Sequence, residues 1–553
     1  MLLIAGAGWR VRAGTGEQRP AAARPNILWI LIEDASPDIG AYGDRYARTP
    51  RLDRLAQEGV RFTRAFSTAP VCAPSRSTLF AGMYASSIGT LHMRSTGVPP
   101  PYVKGLGEYL RAAGYFTVNR AKTDYNISAL PIEDSNGGVL TQIAPLGVWD
   151  ESGPGADWRH RAAGQPFFAV VSPQVTHESR LFRSDEEFAR EAVHLTAADR
   201  HDPARAVLPP YYPDTPAARA NWARYYDMWT EVDAQVADLL GQLDRDGLAA
   251  NTIVFFASDH GRGFPRAKRW AYDSGIRVPL IVRWPGHLEP GSVREDLVSF
   301  IDLPPTTLAL AGAAVPKHFQ GRTFLGPTAA RARDYVYVHR DRMDNVPDTI
   351  RAVRDRRYKY IRNFRPDLPY AQRLDYAEQV PMLQEWRRVF AAGLLRGPQL
   401  LFFAARKPAE ELYDTDSDPH EIVNLAGEPA HQPRLEGMRT VLDRWMKDTG
   451  DLGTIPEAEL KARMRPGGAW NTAATPDISP AGGTFVASTE VRLTCATEGA
   501  TIVYSTQSGS AASWKLYANA ITLSESTSLR AKCGRLGFQD SAEVQARFER
   551  RPE

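Results

Sequence analysis

Three uninterrupted apolar runs set the pattern of this chain, at 26–32, 166–172 and 252–258. Runs of that length without alternation predict strands buried on both faces of a parallel sheet. Helical spacing appears between them. Residues 49–59 and 106–114 each close on glycine. The stretch 221–247 places Trp222, Tyr225, Tyr226, Trp229, Val232, Val236, Leu239 and Leu243 on one face. A further strand is predicted at 115–119. Strands alternating with helices predict an α/β unit with a mostly parallel central sheet over 25–325. From about Arg331 the pattern changes to alternating strands at 335–339, 350–354 and 358–362, followed by a helix over 433–449. This predicts a smaller antiparallel subdomain over 326–465. Beyond a linker at Pro466-Gly467-Gly468, short strands at 490–496, 500–505, 516–523 and 528–533 predict an all-β accessory unit over 470–550 that folds separately. The Pro- and Arg-rich stretch 180–220 reads as a surface loop near the mouth of a site. Residues 1–24 lack periodicity and read as disordered or as the remnant of a secretory signal.

Composition narrows the function classes. A chain of 553 residues exceeds one core, which agrees with several units. Fractions of 43% hydrophobic and 24% charged residues are those of a globular protein. The net charge of +3 is too small to argue for nucleic acid or a membrane surface as a bulk partner. No run reaches the roughly 18–20 apolar residues that span a bilayer. Cys495 and Cys533 lie in the same β-rich stretch. A bridge between them would contribute about 3–4 kcal/mol and imply an oxidising compartment. Two unpaired thiols in neighbouring strands are the alternative.

The chemistry gathers around 69–82, where Cys72 is followed by Ala73-Pro74-Ser75-Arg76. Proline suits a first helical turn, so a helix starts here with Cys72 at its positive end. That position lowers a thiol pKa or holds an anion. Arg76 adds a fork of donors suited to a tetrahedral oxyanion. Glu33-Asp34 follows the first apolar run and Asp259-His260 the third, and strand ends are where open α/β sheets place function. Carboxylates converging there suit a hard cation. Lys122, His177 and Lys268 follow other predicted elements. His92 and Arg94 read equally as pocket lining or as ordinary loop residues.

From Pro70 to Gly82 the chain resembles, position by position, the signature of the type I sulfatases, and the resemblance extends over about 25–450. Residues 470–548 are similar to the C-terminal β-sandwich module of chitobiases. The first resemblance implies an alkaline phosphatase-like fold and a sulfuric ester hydrolase. It implies one calcium ion held by Glu33, Asp34, Cys72, Asp259 and His260. It also implies that a formylglycine-generating enzyme oxidises Cys72, giving a hydrated diol. One hydroxyl attacks sulfur to form a covalent sulfo-enzyme, and the other expels sulfate. Arg76, Lys122, His177 and Lys268 complete the catalytic set. The chain departs from the pattern at Glu33, where the family generally has Asp, and at Asp124, where most members have His. At His260 many members have Asn. The substrate implied is a sulfated carbohydrate and the location periplasmic or secreted. The same fold hosts phosphonate and phosphate ester hydrolases, and an inactive glycan-binding protein is a further alternative.

Overall fold

The structure, a computed structural model, describes residues 24–120, 122–127, 144–509 and 513–552. The signal remnant expected at 1–24 therefore lies, apart from Arg24, outside the described residues.

The catalytic unit is built on eight strands: β1 (Asn26–Ile32), β2 (Val60–Phe66), β3 (Phe116–Arg120), β4 (Glu151–Ser152), β5 (Phe167–Val171), β6 (Thr252–Ser258), β7 (Arg277–Arg283) and β8 (Ser292–Ser299). They lie in the order β4-β3-β5-β1-β6-β7-β2-β8. Only β7 runs against the others, pairing antiparallel with β6 and β2. The apolar runs have a simple cause. Leu28, Ile30, Ala169, Val171, Val254 and Phe256 point into one core, against Trp222 and Trp229 of the long helix Pro216–Arg245. Their neighbours Ile27, Trp29, Phe168, Val170, Ile253 and Phe255 point into a second core, against Leu106 and Leu303. Helices cover both faces, so the strand interiors are apolar on both, and polar residues are left to the ends, at Asn26, Thr252 and Ser258.

Helix α1 (Pro50–Glu58) follows β1, and α2 (Cys72–Ala81) follows β2. Thr49 makes no side-chain cap on α1. The buried Asp233 carboxylate caps it instead, accepting from Arg51 N and Leu52 N at 3.1 and 2.7 Å. Helix α2 ends at Gly82, whose φ of 65° is the left-handed turn that favours glycine. The stretch 180–220 is not a loose loop. Phe188, Tyr211 and Tyr212 are buried in the core beneath it.

A second sheet, β9 (Val336–Arg340), β10 (Ile350–Arg354), β11 (Tyr358–Asn363) and β12 (Glu410–Asp414), is antiparallel throughout. The helix Gln432–Thr449 packs Leu435, Met438, Leu442 and Trp445 on it. The C-terminal unit has a three- and a five-stranded sheet sharing one core, Val491, Leu493 and Leu523 facing Leu529, Ala531 and Phe548.

This unit is not hung on a free linker. Pro466–Gly468 is a tight turn. Beside it, Arg465 stacks on Trp470 and donates to Gly537 O and Thr96 O at 3.1 and 3.0 Å. Lys104 donates to Gly499 O at 2.7 Å, and Arg111, on α3 (Leu106–Ala112), donates to Trp514 O at 2.7 Å. Leu536 enters a cluster with Phe80, Met83, Ile127 and Val148. A Cβ on Gly537 would stand 2.6 Å from Gly97 O, which requires glycine there. Cys495 and Cys533 are free thiols in mutual contact. The unpaired alternative is thus the one observed, and burial pushes the Cys533 thiol up.

Candidate active site

Adjacent parallel strands β1 and β6 end side by side, and their next residues are stitched together. Asp34 N donates to Asp259 Oδ1 at 3.2 Å, and Ala35 N donates to Ser258 Oγ at 3.0 Å. Asp34 adopts φ 50°, a left-handed turn that swings its carboxylate back over the strand ends. Asp34, Asp259 and His260, all fully buried, bring one ligand atom each within 4.8 Å of one another. Glu33 falls into a neighbouring group with Asp34 and His177. Cys72, expected to complete the metal site, belongs to neither group.

A cation fits this arrangement. His260 Nδ1 lies 2.9 Å from Gly261 O, which can only accept, so Nδ1 carries a proton. Its Nε2 then faces Asp34 Oδ1 at 2.9 Å, out of line for a hydrogen bond. Glu33 Oε1, Asp34 Oδ1 and His260 Nε2 are buried with no hydrogen-bond partner. Orphaned acceptors of this kind are costly unless something positive sits among them. The set is oxygen-rich with one nitrogen, which suits a hard divalent ion.

Helix α2 brings Cys72 to the same place. Ser75 Oγ donates to Asp259 O at 2.6 Å, fixing the first turn on the end of β6. Arg76 Nε donates to Asp259 Oδ2 at 2.9 Å, and its Nη1 donates to Ser172 Oγ at 3.2 Å beyond β5. Cys72 is 2% exposed. Burial pushes its thiol up, and Asp124 adds to this against Lys122 and Lys268. The expectation of a lowered thiol pKa is thus reversed. The helix dipole acts on Cys72, but desolvation is the larger effect.

The cations arrive from separate elements. Lys122, past β3, donates to Glu33 Oε2 at 2.6 Å. Lys268 donates to Asp34 Oδ2 at 2.7 Å. Burial works against both ammonium groups, but Glu33 for Lys122, and Asp34 with Glu178 for Lys268, outweigh it and keep them charged. Asp124, in the histidine's place, lies 3.7 Å from Lys122. His177 accepts at Nδ1 from Ser179 N at 3.3 Å, which leaves its proton on Nε2, 3.9 Å from Glu33 Oε2. Burial first, then Lys268, lowers its pKa well below the ordinary value. Of the two open loop residues, His92 is buried and faces Glu457 at 3.9 Å. Arg94 instead faces Asp344 at 3.6 Å, with its side chain 27% exposed.

Two residues of this network have no counterpart in the sequence reading. Glu178 N donates to Asp34 Oδ2 at 2.7 Å. The Glu178 carboxylate accepts from both nitrogens of Arg269 at 2.9 and 2.7 Å and pairs with Lys268 at 2.8 Å. Glu178 stands beside His177 in sequence, but its role depends on Arg269, which is 91 positions away.

Residues 25–132 and 154–313 match the sulfatase family. Residues 263–380 match the C-terminal region of N-sulphoglucosamine sulphohydrolase, and 480–545 the chitobiase/beta-hexosaminidase C-terminal domain. An ulvan-active sulfatase of Formosa agariphila is 37% identical over 94% of this chain and 91% of its own. The human N-sulphoglucosamine sulphohydrolase is 28% identical over 80% and 94%. Among solved structures, a phosphonate monoester hydrolase of Agrobacterium radiobacter has the same fold, with a TM-score of 0.53 and 21% identity over 77% of this chain and 96% of that one. Signature, ligand geometry and relatives agree: the chain belongs to the sulfatase family.

Proposed function

We propose that the protein hydrolyses sulfate esters on an acidic polysaccharide, with formylglycine made from Cys72 as the reacting group. The observation that carries this reading is the convergence of Arg76, Lys122, His177 and Lys268 on the buried carboxylates Asp259, Glu33 and Asp34, to which Ser75 ties the first turn of the Cys72 helix. The ulvan-active relative, matched nearly end to end, supports ulvan or a similar sulfated glycan as substrate.

Formylglycine, once formed and hydrated, supplies a nucleophilic hydroxyl and a second hydroxyl through which sulfate leaves. Asp34, Asp259, His260 and Glu33 Oε1 would hold a divalent cation, which would supply positive charge beside the sulfate. The remaining chemistry belongs to the chain. Lys122 and Lys268 arrive charged and lie where sulfate oxygens gain charge. Arg76 is held by Asp259, so it orients the carboxylate and braces α2. His177 presents an N–H at Nε2 to the leaving oxygen, its orientation fixed by Ser179. Burial of Arg76, Lys122 and Lys268 excludes water that would compete for these donors, and only His177 is partly open, at 14%. A polymeric substrate cannot enter a cell, which supports a periplasmic or secreted location. No helix among the described residues is long and apolar enough to cross a membrane.

The test is sulfate release from ulvan and other sulfated oligosaccharides, using protein whose Cys72 peptide shows conversion by mass. Sulfate release that disappears in Cys72→Ala is expected. Equal turnover by the unconverted protein overturns the mechanism. Faster turnover of aryl phosphonate than of any sulfate ester moves the protein to the phosphonate hydrolases.

A further inference from the structure

Arg94 follows Met93, which packs in the cluster around Cys72, and the reaction proposed above does not use it. It sits on a loop anchored from behind. Asn126 donates to Thr90 O and His92 O at 2.8 Å each and accepts from Ser95 N at 3.2 Å. Met93 N donates to Arg342 O at 2.9 Å, which joins this loop to the turn carrying Asp344. Arg94 and Asp344 both adopt left-handed backbone, φ 55° and 46°. Two non-glycine residues strained in this way across one opening indicate that the side chains are held for a purpose.

Nothing among the described residues fully occupies Arg94. Its nearest carboxylate, Asp344, stands at 3.6 Å, and its buried Nε has no hydrogen-bond partner. Asp344 is shared with Arg269 at 3.9 Å, so positive charge is in excess. The Arg94 side chain is 27% exposed, enough to meet a ligand. Its guanidinium lies 5.9 Å from the centre of the Tyr376 ring. That ring is 6.3 Å from the ring of His177 on the other side. Tyr376, half-buried with Phe182 edge-on against it at 5.6 Å, thus presents an aromatic ring within reach of both the leaving-group donor and a spare guanidinium. A sugar ring lies well on such a face, and an oxyanion at its edge meets the planar fork of Arg94.

We infer that Arg94 and Tyr376 form a specificity subsite for a second anionic group, a carboxylate or sulfate, on the sugar next to the scissile sulfate. This rests on the sulfated-glycan reading above and names a feature of the glycan it selects.

Binding separates the two ideas, because it needs no turnover. Protein with unconverted Cys72 is titrated by calorimetry with a sulfated oligosaccharide containing glucuronic acid. It is then titrated with the carboxyl-reduced form and with a form carrying a second sulfate on the neutral sugar. One charge-assisted contact predicts about 10- to 100-fold tighter binding of one anionic form than of the neutral one, and the tighter form identifies the group. Arg94→Gln should collapse that ratio, and Arg94→Lys should keep part of it. Asp344→Asn, which removes the competing carboxylate, should widen it and serves as the test if Arg94→Gln does not fold. A ratio near one in the wild type, or one unchanged by these variants, overturns the subsite. Discrimination in binding by a protein that releases no sulfate after conversion would leave the subsite standing and remove the sulfatase assignment of substrate.

Discussion

Glu178→Gln tests the buried charge network most directly. The carboxylate meets Arg269 and Lys268 through three contacts of 2.7–2.9 Å and is 2% exposed. Glutamine keeps the shape, but its amide nitrogen turns a donor toward a guanidinium or an ammonium. Asp344, the next carboxylate to Arg269, is 3.9 Å away and cannot take over. Removing one partner of such a pair costs about 3–5 kcal/mol. At roughly 2 °C per kcal/mol for a large protein, the thermal midpoint should fall by about 6–10 °C. Lys268, left with Asp34 alone, should shift toward it, and a displacement of this kind costs about 100-fold in kcat. Arg269→Met in the same background removes the orphaned cation. The double variant should then be more stable than the sum of the two single losses by at least about 1.5 kcal/mol, with kcat still low. Calorimetric midpoints and sulfate release on all three variants give the answer. Additivity to within about 0.5 kcal/mol, with kcat near wild type, would refute the network.

Four further outcomes follow from the structure. Chelation should lower the thermal midpoint and abolish sulfate release, and calcium should restore both; a midpoint that does not move shows that the orphaned acceptors hold no ion. Burial raises Asp233 to about 6 from an ordinary 3.8, so its ionisation opposes folding. Stability contributed by the protonated form is therefore lost as pH rises from about 4 to 6, by about 3 kcal/mol at most. Asp233→Asn should accordingly gain stability over wild type between pH 4.5 and 7.5; a constant difference in midpoint denies the shift. Leu536→Ala should cost about 2–4 kcal/mol by emptying its seat beside Phe80. Truncation before Thr475 should in turn destabilise the catalytic unit; a truncated protein as stable as the whole chain shows the module to be a passenger.

The sequence made the frame legible because each site residue follows an element with a strong pattern. Glu33, Asp34, Asp259 and His260 come straight after unbroken apolar strands, and Cys72 opens a helix flanked by proline and arginine. What stayed hidden depends on contacts between distant segments. Glu178 has meaning only beside Arg269, and Asp233 caps a helix whose own Thr49 does not. The thiol of Cys72 looked activated when only its own helix was considered. Its surroundings, Met343, Val346 and Leu374 from the second subdomain, bury it and reverse the sign. The module likewise looked separate because a Pro-Gly-Gly turn resembles a linker until Arg465 is seen holding both sides.

The complete burial of α2 has a consequence for how the protein is made. All ten of its residues are inside, from Cys72 to Ala81. Under the proposed conversion, an oxidising enzyme would have to reach Cys72 before the helix is seated. Reopening it would mean pulling Ser75 and Arg76 off Asp259 and undoing the strand ends beneath. On that reading, maturation would be a race between conversion of Cys72 and closure of the fold around it, and a molecule that folded first would be locked out. The active fraction of a preparation would then record relative speeds in the host, and slowing synthesis should raise it where adding an oxidising enzyme afterwards does nothing.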